Sequence, residues 1–350
     1  MEINCHPEQR EGSNALTMTI SQDLLYRAKN YTKQKSLGQN FLVDEDILDD
    51  IVSASNLDPE ETIAIEIGPG IGFLTERILP QVKHLYSVEL DANAIYHLKM
   101  LRANNKNFDY LRDDFLSLSL DDVLQLNSYS QKMMSLRGSE GDEVIQSNIL
   151  DCDAYARNDE MIDEERIAIG SQYLEEIKAG KRPKLKIVAN IPYQITTKIL
   201  LHLLGEMGED NPNRELISEI NILVQKEFAD RLVAPPGIKD YSSITLLINY
   251  WAEVERCVEV PKDSFRPIPK VDSTFIKIKL RDKPLVDCKN PKQLRRFIKA
   301  IFSNRRKKLL NGLRAAGYHE DELEKLNLAD NLRGETLSLK KINEMVNKLL

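Results

Sequence analysis

The stretch Thr62 to Leu79, TIAIEIGPGIGFLTERIL, constrains the fold of this 350-residue chain more than any other. A short apolar run meets three closely spaced glycines and passes into helical spacing, which predicts strand, tight turn and helix in succession. The rhythm repeats. HLYSVELD reads as the next strand, ANAIYHLKMLRAN as the next helix, and FDYLRDDFLSL as a third strand with its loop. Such alternation predicts a doubly wound parallel sheet with helices on both faces. Upstream, LVDEDILDDIVSASNL has apolar residues at helical spacing, with Asp44 placed to cap it. Residues 1–30 read as a polar, weakly ordered or lightly helical arm, and from about Lys289 the pattern is purely helical. The expected domains are therefore an α/β domain over about 31–285 and a small all-α domain over about 286–350.

The glycine turn asks for a ligand. Gly68 and Gly70 permit close backbone approach, and Gly72 permits tight packing of helix on strand. The order G-P-G-x-G is not the dinucleotide fingerprint, because Pro69 removes one N–H from any phosphate cradle, and no Gly-Lys-Ser/Thr follows to make a P-loop. Glu89 stands at the end of the second strand, where an acid accepts from both ribose hydroxyls of a nucleoside. Asp113 and Asp114 end the third, where a carboxylate can accept from an adenine amino group. A nucleoside without a pyrophosphate satisfies all three positions, and S-adenosylmethionine fits; three unrelated polar strand ends are the competing reading.

KIVANIPYQITTKIL, Lys186 to Leu200, raises a second question. Its strand half has no polar alternation, as expected of a strand covered on both faces. Ligands in open α/β sheets bind outside the carboxyl ends of such strands. There Pro192 fixes its own φ and pushes Ile191 toward extended geometry, so Asn190 and Tyr193 are presented on a stiffened turn suited to a flat group.

Charge has to be read by segment. The chain carries a net −7, with 42% hydrophobic and 29% charged residues, ordinary for a globular protein. Ser117 to Gly180 holds 14 acidic and 5 basic residues, and the surrounding 117–182 segment, with weak periodicity, reads as an acidic insertion. Lys262 to Arg314 holds 17 basic and 4 acidic residues, a phosphate-sized footprint centred on Arg305, Arg306, Lys307 and Lys308. No signal-peptide pattern and no run of eighteen apolar residues occurs, so a cytoplasmic protein without a membrane partner is expected. Cys5, Cys152, Cys257 and Cys288 are scattered, which suggests free thiols and no metal site.

KSLGQNFLVD, EIGPGIGFLT, VELD, DDFL, NIPYQITTKIL and FRPIPKVDSTFIKIKL, in that order, resemble the rRNA adenine N6,N6-dimethyltransferase family of the bacterial KsgA type. The likeness extends into FIKAIFSNRRKKLLNGL and LRGETLSL. It implies a Rossmann-like class I methyltransferase sheet and S-adenosylmethionine as cofactor. It also implies that Asn40, Leu42, Gly68, Glu89, Asp114 and Asn190 touch that cofactor, while Asn190 and Pro192 hold the target base and Tyr193 and Phe265 stack on it. The implied substrate is a pair of adjacent adenosines in the 3′-terminal hairpin loop of small-subunit rRNA, dimethylated by a monomer within a pre-30S-type particle. The large-subunit rRNA methylases of macrolide resistance share the cofactor motifs, and a non-catalytic assembly factor on the same fold is the rival of another class. The chain departs from the family in the 76 positions that separate Asp114 from Asn190, and in Asp113, which stands where the family commonly has a small residue.

Overall fold

In a computed structural model of the chain, residues 19–33, 38–125, 164–303, 308–329 and 331–350 are described. The centre of the acidic segment and Arg305, Arg306 and Lys307 lie outside them, as do Cys5 and Cys152. The strands are β1 (Phe41–Leu42), β2 (Ile63–Ile67), β3 (His84–Glu89), β4 (Phe108–Arg112), β5 (Leu185–Asn190), β6 (Ile217–Gln225), β7 (Ala252–Val260), β8 (Phe265–Arg266) and β9 (Ser273–Leu280). Seven of them form one sheet in the order β4-β3-β2-β5-β6-β9-β7. The run from β4 to β6 is parallel, as the sequence predicts, and β2 and β3 are buried along their whole length. β9 lies antiparallel to both β6 and β7, so the sheet is mixed at that end.

Strand order reverses beside β2, because the chain runs outward through β3 and β4 and then returns to place β5 on β2's other edge. Such a reversal opens a crevice at the carboxyl ends of the strands. One apolar layer, with Ile65, Val88, Ile187 and Ile222, packs on one face of the sheet. A second, with Ala64, Leu85, Val188 and Phe275, packs on the other.

The N-terminal arm is more ordered in its described part than the sequence suggests. Helix α1 (Gln22–Asn30) buries Leu24 and Ala28 in the second layer, capped by Ser21. Its approach is pinned by Ser21 N–H to the Val43 carbonyl and Glu45 N–H to the Thr19 carbonyl, at 3.1 Å each. Both ends of the acidic segment also belong to the core. A short helix, Leu120–Leu124, and a long one, Glu164–Lys178, bury Leu120, Val123, Leu174 and Ile177 against the sheet. The described ends of the 117–182 segment are therefore part of the sheet's packing. Gly170 marks their contact: a Cβ there would stand 2.0 Å from the Leu124 carbonyl oxygen. Gly170→Ala must push the helices apart, and overpacking of this kind costs about 1–3 kcal/mol. A lowered urea midpoint with an unchanged slope is expected; an unchanged midpoint would show that the contact is loose.

The C-terminal helices Pro291–Phe302, Leu309–Ala315, Glu320–Leu326 and Leu339–Lys348 build their own apolar cluster around Leu294, Phe297, Leu313 and Ile342. Met207, Tyr241, Leu246 and Tyr250 of the α/β domain join it. Tyr241 seals the joint by donating its hydroxyl to the Leu337 carbonyl at 2.9 Å.

Candidate active site

The crevice at the strand ends is a cavity lined by Asn40, Leu42, Gly68, Glu89, Asp113, Asp114, Asn190, Pro192 and Tyr193, among others. Local sequence explains each placement. Gly68, Gly70 and Gly72 have φ of 67°, 57° and 88°, so the turn after β2 uses the left-handed conformations that glycine adopts without strain. A Cβ on Gly68 would meet nothing within 4 Å, which leaves open space above that backbone for a ligand.

Glu89 is 5% exposed and accepts from Gly70 N–H and from Asp91 N–H, both at 2.7 Å, one on each oxygen. Its carboxyl is held firmly between strand end and glycine turn, and each oxygen retains a lone pair for a ribose hydroxyl. Burial raises its pKa, and the two backbone donors oppose that shift. The Asp113 oxygen Oδ1 accepts from Asp114 N–H and Ser117 Oγ, while the Asp114 Oδ1 accepts from Leu116 N–H. Both aspartates face the cavity with one oxygen each outside these turn bonds. The buried carboxylate at the back, Glu66, accepts from Thr75 Oγ1 at 2.7 Å and Ser87 Oγ at 3.2 Å.

Glu66 titrates unusually. Burial pushes its pKa up to about 7, against the two hydroxyl donors that favour the charged form. Because the folded value lies above the unfolded one, the stability tied to Glu66 is fully present below the unfolded pKa and is lost as pH rises through about 7. Glu66→Gln should remove that loss, raising stability at pH 8.5 relative to the parent by up to about 3 kcal/mol. Parallel melting curves at pH 5.5 and 8.5 check it; equal pH dependence in both proteins would acquit Glu66.

At the end of β5, Asn190 and Tyr193 are half-buried. Asn190 commits its Nδ2 to the Asn40 carbonyl at 3.4 Å, which leaves Oδ1 as its acceptor toward the cavity. The Pro192 carbonyl accepts from Ile195 N–H at 3.1 Å, closing the turn and leaving one further lone pair. The Tyr193 hydroxyl lies 2.6 Å from Ser273 Oγ, a tether that fixes its ring. Ser273 is a site-supporting residue without a sequence signal of its own.

Phe265 does not share this arrangement. It pairs with Leu42 across β1 and β8, is fully buried in the second apolar layer, and is absent from the cavity lining. The structure therefore does not bring Phe265 together with Tyr193 at the cavity; its ring packs beneath the strand pair that carries Leu42. Cavity-lining Phe275, on β9, was missed because its strand reads as ordinary core. Of the basic cluster only Lys308 is described; it is exposed at the start of helix Leu309–Ala315. Among the described residues no group of three or more His, Cys, Asp or Glu could hold a metal, Cys257 and Cys288 are free, and no helix is long and apolar enough to cross a membrane.

Known proteins share this architecture. The chain is 33% identical to "Ribosomal RNA small subunit methyltransferase A" of Picosynechococcus sp., over 87% of this chain and 93% of that one. It is 31% identical to the protein of the same description in Clostridioides difficile, over 91% of each. The crystal structure of a dimethyladenosine transferase from Plasmodium falciparum superposes with a TM-score of 0.57 at 21% identity, covering 88% of this chain and 94% of that one. The profile described as ribosomal RNA adenine dimethylase matches residues 30–349. Because that match takes in both the sheet domain and the C-terminal helices, the chain as a whole belongs to the ribosomal RNA adenine dimethylase family.

Proposed function

We propose that this protein dimethylates N6 of two adjacent adenosines in the 3′-terminal hairpin loop of small-subunit rRNA, using S-adenosylmethionine. The observation that carries this reading is one shared cavity: the Asn190-Pro192-Tyr193 turn opens onto the space bounded by Gly68, Glu89 and Asp114. Those residues fit the cofactor, because Gly68 leaves room above its backbone and Glu89 is held as a two-oxygen acceptor for a diol. Asn40, Leu42 and Asp114 complete the binding set we assign. When bound, the cofactor supplies a methyl group activated on a sulfonium.

The remaining work falls to the turn. An exocyclic adenine nitrogen is a poor nucleophile because its lone pair is delocalised into the ring. Asn190 Oδ1 and the Pro192 carbonyl accept hydrogen bonds from its two N–H groups and draw it toward pyramidal geometry, a matter of orientation and electrostatics rather than of strong base, and each methylation releases one of those protons to water. A monomethylated nitrogen keeps one proton, so either acceptor suffices for the second round. Tyr193, whose ring is fixed by the tether to Ser273, stacks on the base. Stacking is worth about 1–3 kcal/mol per base, so Tyr193→Ala should reduce turnover about 5- to 150-fold with cofactor affinity nearly unchanged. Equal losses in both would place Tyr193 in the cofactor pocket instead.

We further propose that the protein acts as a monomer in the cytoplasm on a pre-30S-type particle, and that Arg305, Arg306, Lys307 and Lys308 dock rRNA phosphates through counterion release. Incubation with undermethylated small subunits, and separately with large subunits, in the presence of methyl-labelled S-adenosylmethionine tests substrate choice. Label in the small subunit alone is expected; label in the large subunit alone would favour the macrolide-resistance activity.

A further inference from the structure

Asp91 has no solvent exposure and does not line the cavity, yet it joins three parts of the site. Its Oδ2 accepts from the Tyr31 hydroxyl at 2.5 Å and from Gln39 Nε2 at 2.7 Å. Oδ1 accepts from Asn93 N–H at 3.0 Å, and its own N–H donates to Glu89. A buried carboxylate persists only where several donors compensate it, and here two of those donors come from the N-terminal segment, about fifty and sixty positions away.

What those donors carry with them matters for the reaction. Gln39 precedes Asn40, whose carbonyl receives Asn190 Nδ2, and Asn40 precedes Phe41. The Phe41 ring meets Tyr31 edge-on at 5.4 Å, and it sits so close to the glycine turn that a Cβ on Gly70 would be 3.1 Å from it. Gln39 Oε1 is buried without a partner, so its side chain is oriented by donation to Asp91. The same short acid therefore bears on the ribose acceptor through its backbone and on the catalytic amide through Gln39 and Asn40.

We propose that Asp91 is a positioning residue, the latch that holds Tyr31 and Gln39 and thereby seats Asn40 and Phe41 between the glycine turn and Asn190. The proposal rests on the functional reading above. Breaking the latch at Tyr31 and Asp91, neither of which lines the cavity, loosens both the cofactor cradle and the orientation of Asn190.

The test uses the full chain with Tyr31→Phe and Asp91→Asn combined, and separately Asp91→Asn, whose single side-chain oxygen can keep the cap on Asn93 or the bond from Tyr31 but not both. Calorimetry with S-adenosylhomocysteine and single-turnover methylation of undermethylated small subunits are the readouts. For the double variant we expect a dissociation constant raised about tenfold and a saturated single-turnover rate lowered about fivefold, with Asp91→Asn between it and the parent. A purely structural role would lower the fraction of binding-competent protein and leave the dissociation constant unchanged. That result, or parent-like binding and rate, overturns the proposal alone. Should the parent itself fail to bind the probe, the functional reading falls with it.

Discussion

Asn190→Ala should lower the single-turnover rate of methyl transfer about 10²- to 10³-fold while changing cofactor affinity far less. The size follows from what preorganised polar groups contribute in a sheltered site: removing one costs about that factor. Asn190 is preorganised by its bond to the Asn40 carbonyl, which settles which end of the amide faces the cavity. Alanine leaves the adenine nitrogen planar, its lone pair in the ring, and one of its protons without an acceptor. Rapid-quench measurement with saturating cofactor and undermethylated small subunits isolates this step from product release. Activity within tenfold of the parent would move the acceptor role to the Pro192 carbonyl.

Glu89→Ala should weaken cofactor binding about a hundredfold or more. Charge-assisted hydrogen bonds are worth about 1.5–3 kcal/mol each, and a ribose diol would lose two. The substitution also strips the acceptor from Gly70 N–H and Asp91 N–H, so the glycine turn and the latch loosen together. Glu89→Gln keeps one good acceptor and should fall between. Titration calorimetry distinguishes the outcomes, and parent-like affinity in Glu89→Ala would remove the residue from the ribose site.

Much of this site was legible because special backbone demands special residues. Three glycines at positive φ, an acid at a strand end and a proline after Asn190 each announce a geometry that few sequences need. Elements set by distant partners were not legible. The helix Glu164–Lys178 hides within acidic sequence because its buried Leu174 and Ile177 are few and its charges lie outside the core. The direction of β9 depends on its neighbours β6 and β7, since an apolar strand reads the same either way. The burial of Phe265 likewise depends on a distant partner, its pairing with Leu42 across β1 and β8. Local charge counting misled as well. Arg295 and Lys299 belong to the basic segment, but both pair with Glu206, just after the helix Thr196–Leu204 that follows β5, and Arg295 pairs with Glu209 too. Those two cations tie the C-terminal helices to the segment that leads into β6, at the end of the parallel strands opposite the crevice.

Product identity and position together test the central claim. Small subunits lacking the modification, incubated with the protein and S-adenosylmethionine, are digested to nucleosides and separately mapped by primer extension. N6,N6-dimethyladenosine is expected at two neighbouring adenosines of the 3′-terminal hairpin loop, forming far more slowly when Asn190→Ala replaces the parent. Dimethyladenosine in large-subunit rRNA instead, or no methylated adenosine from the parent protein, would contradict it.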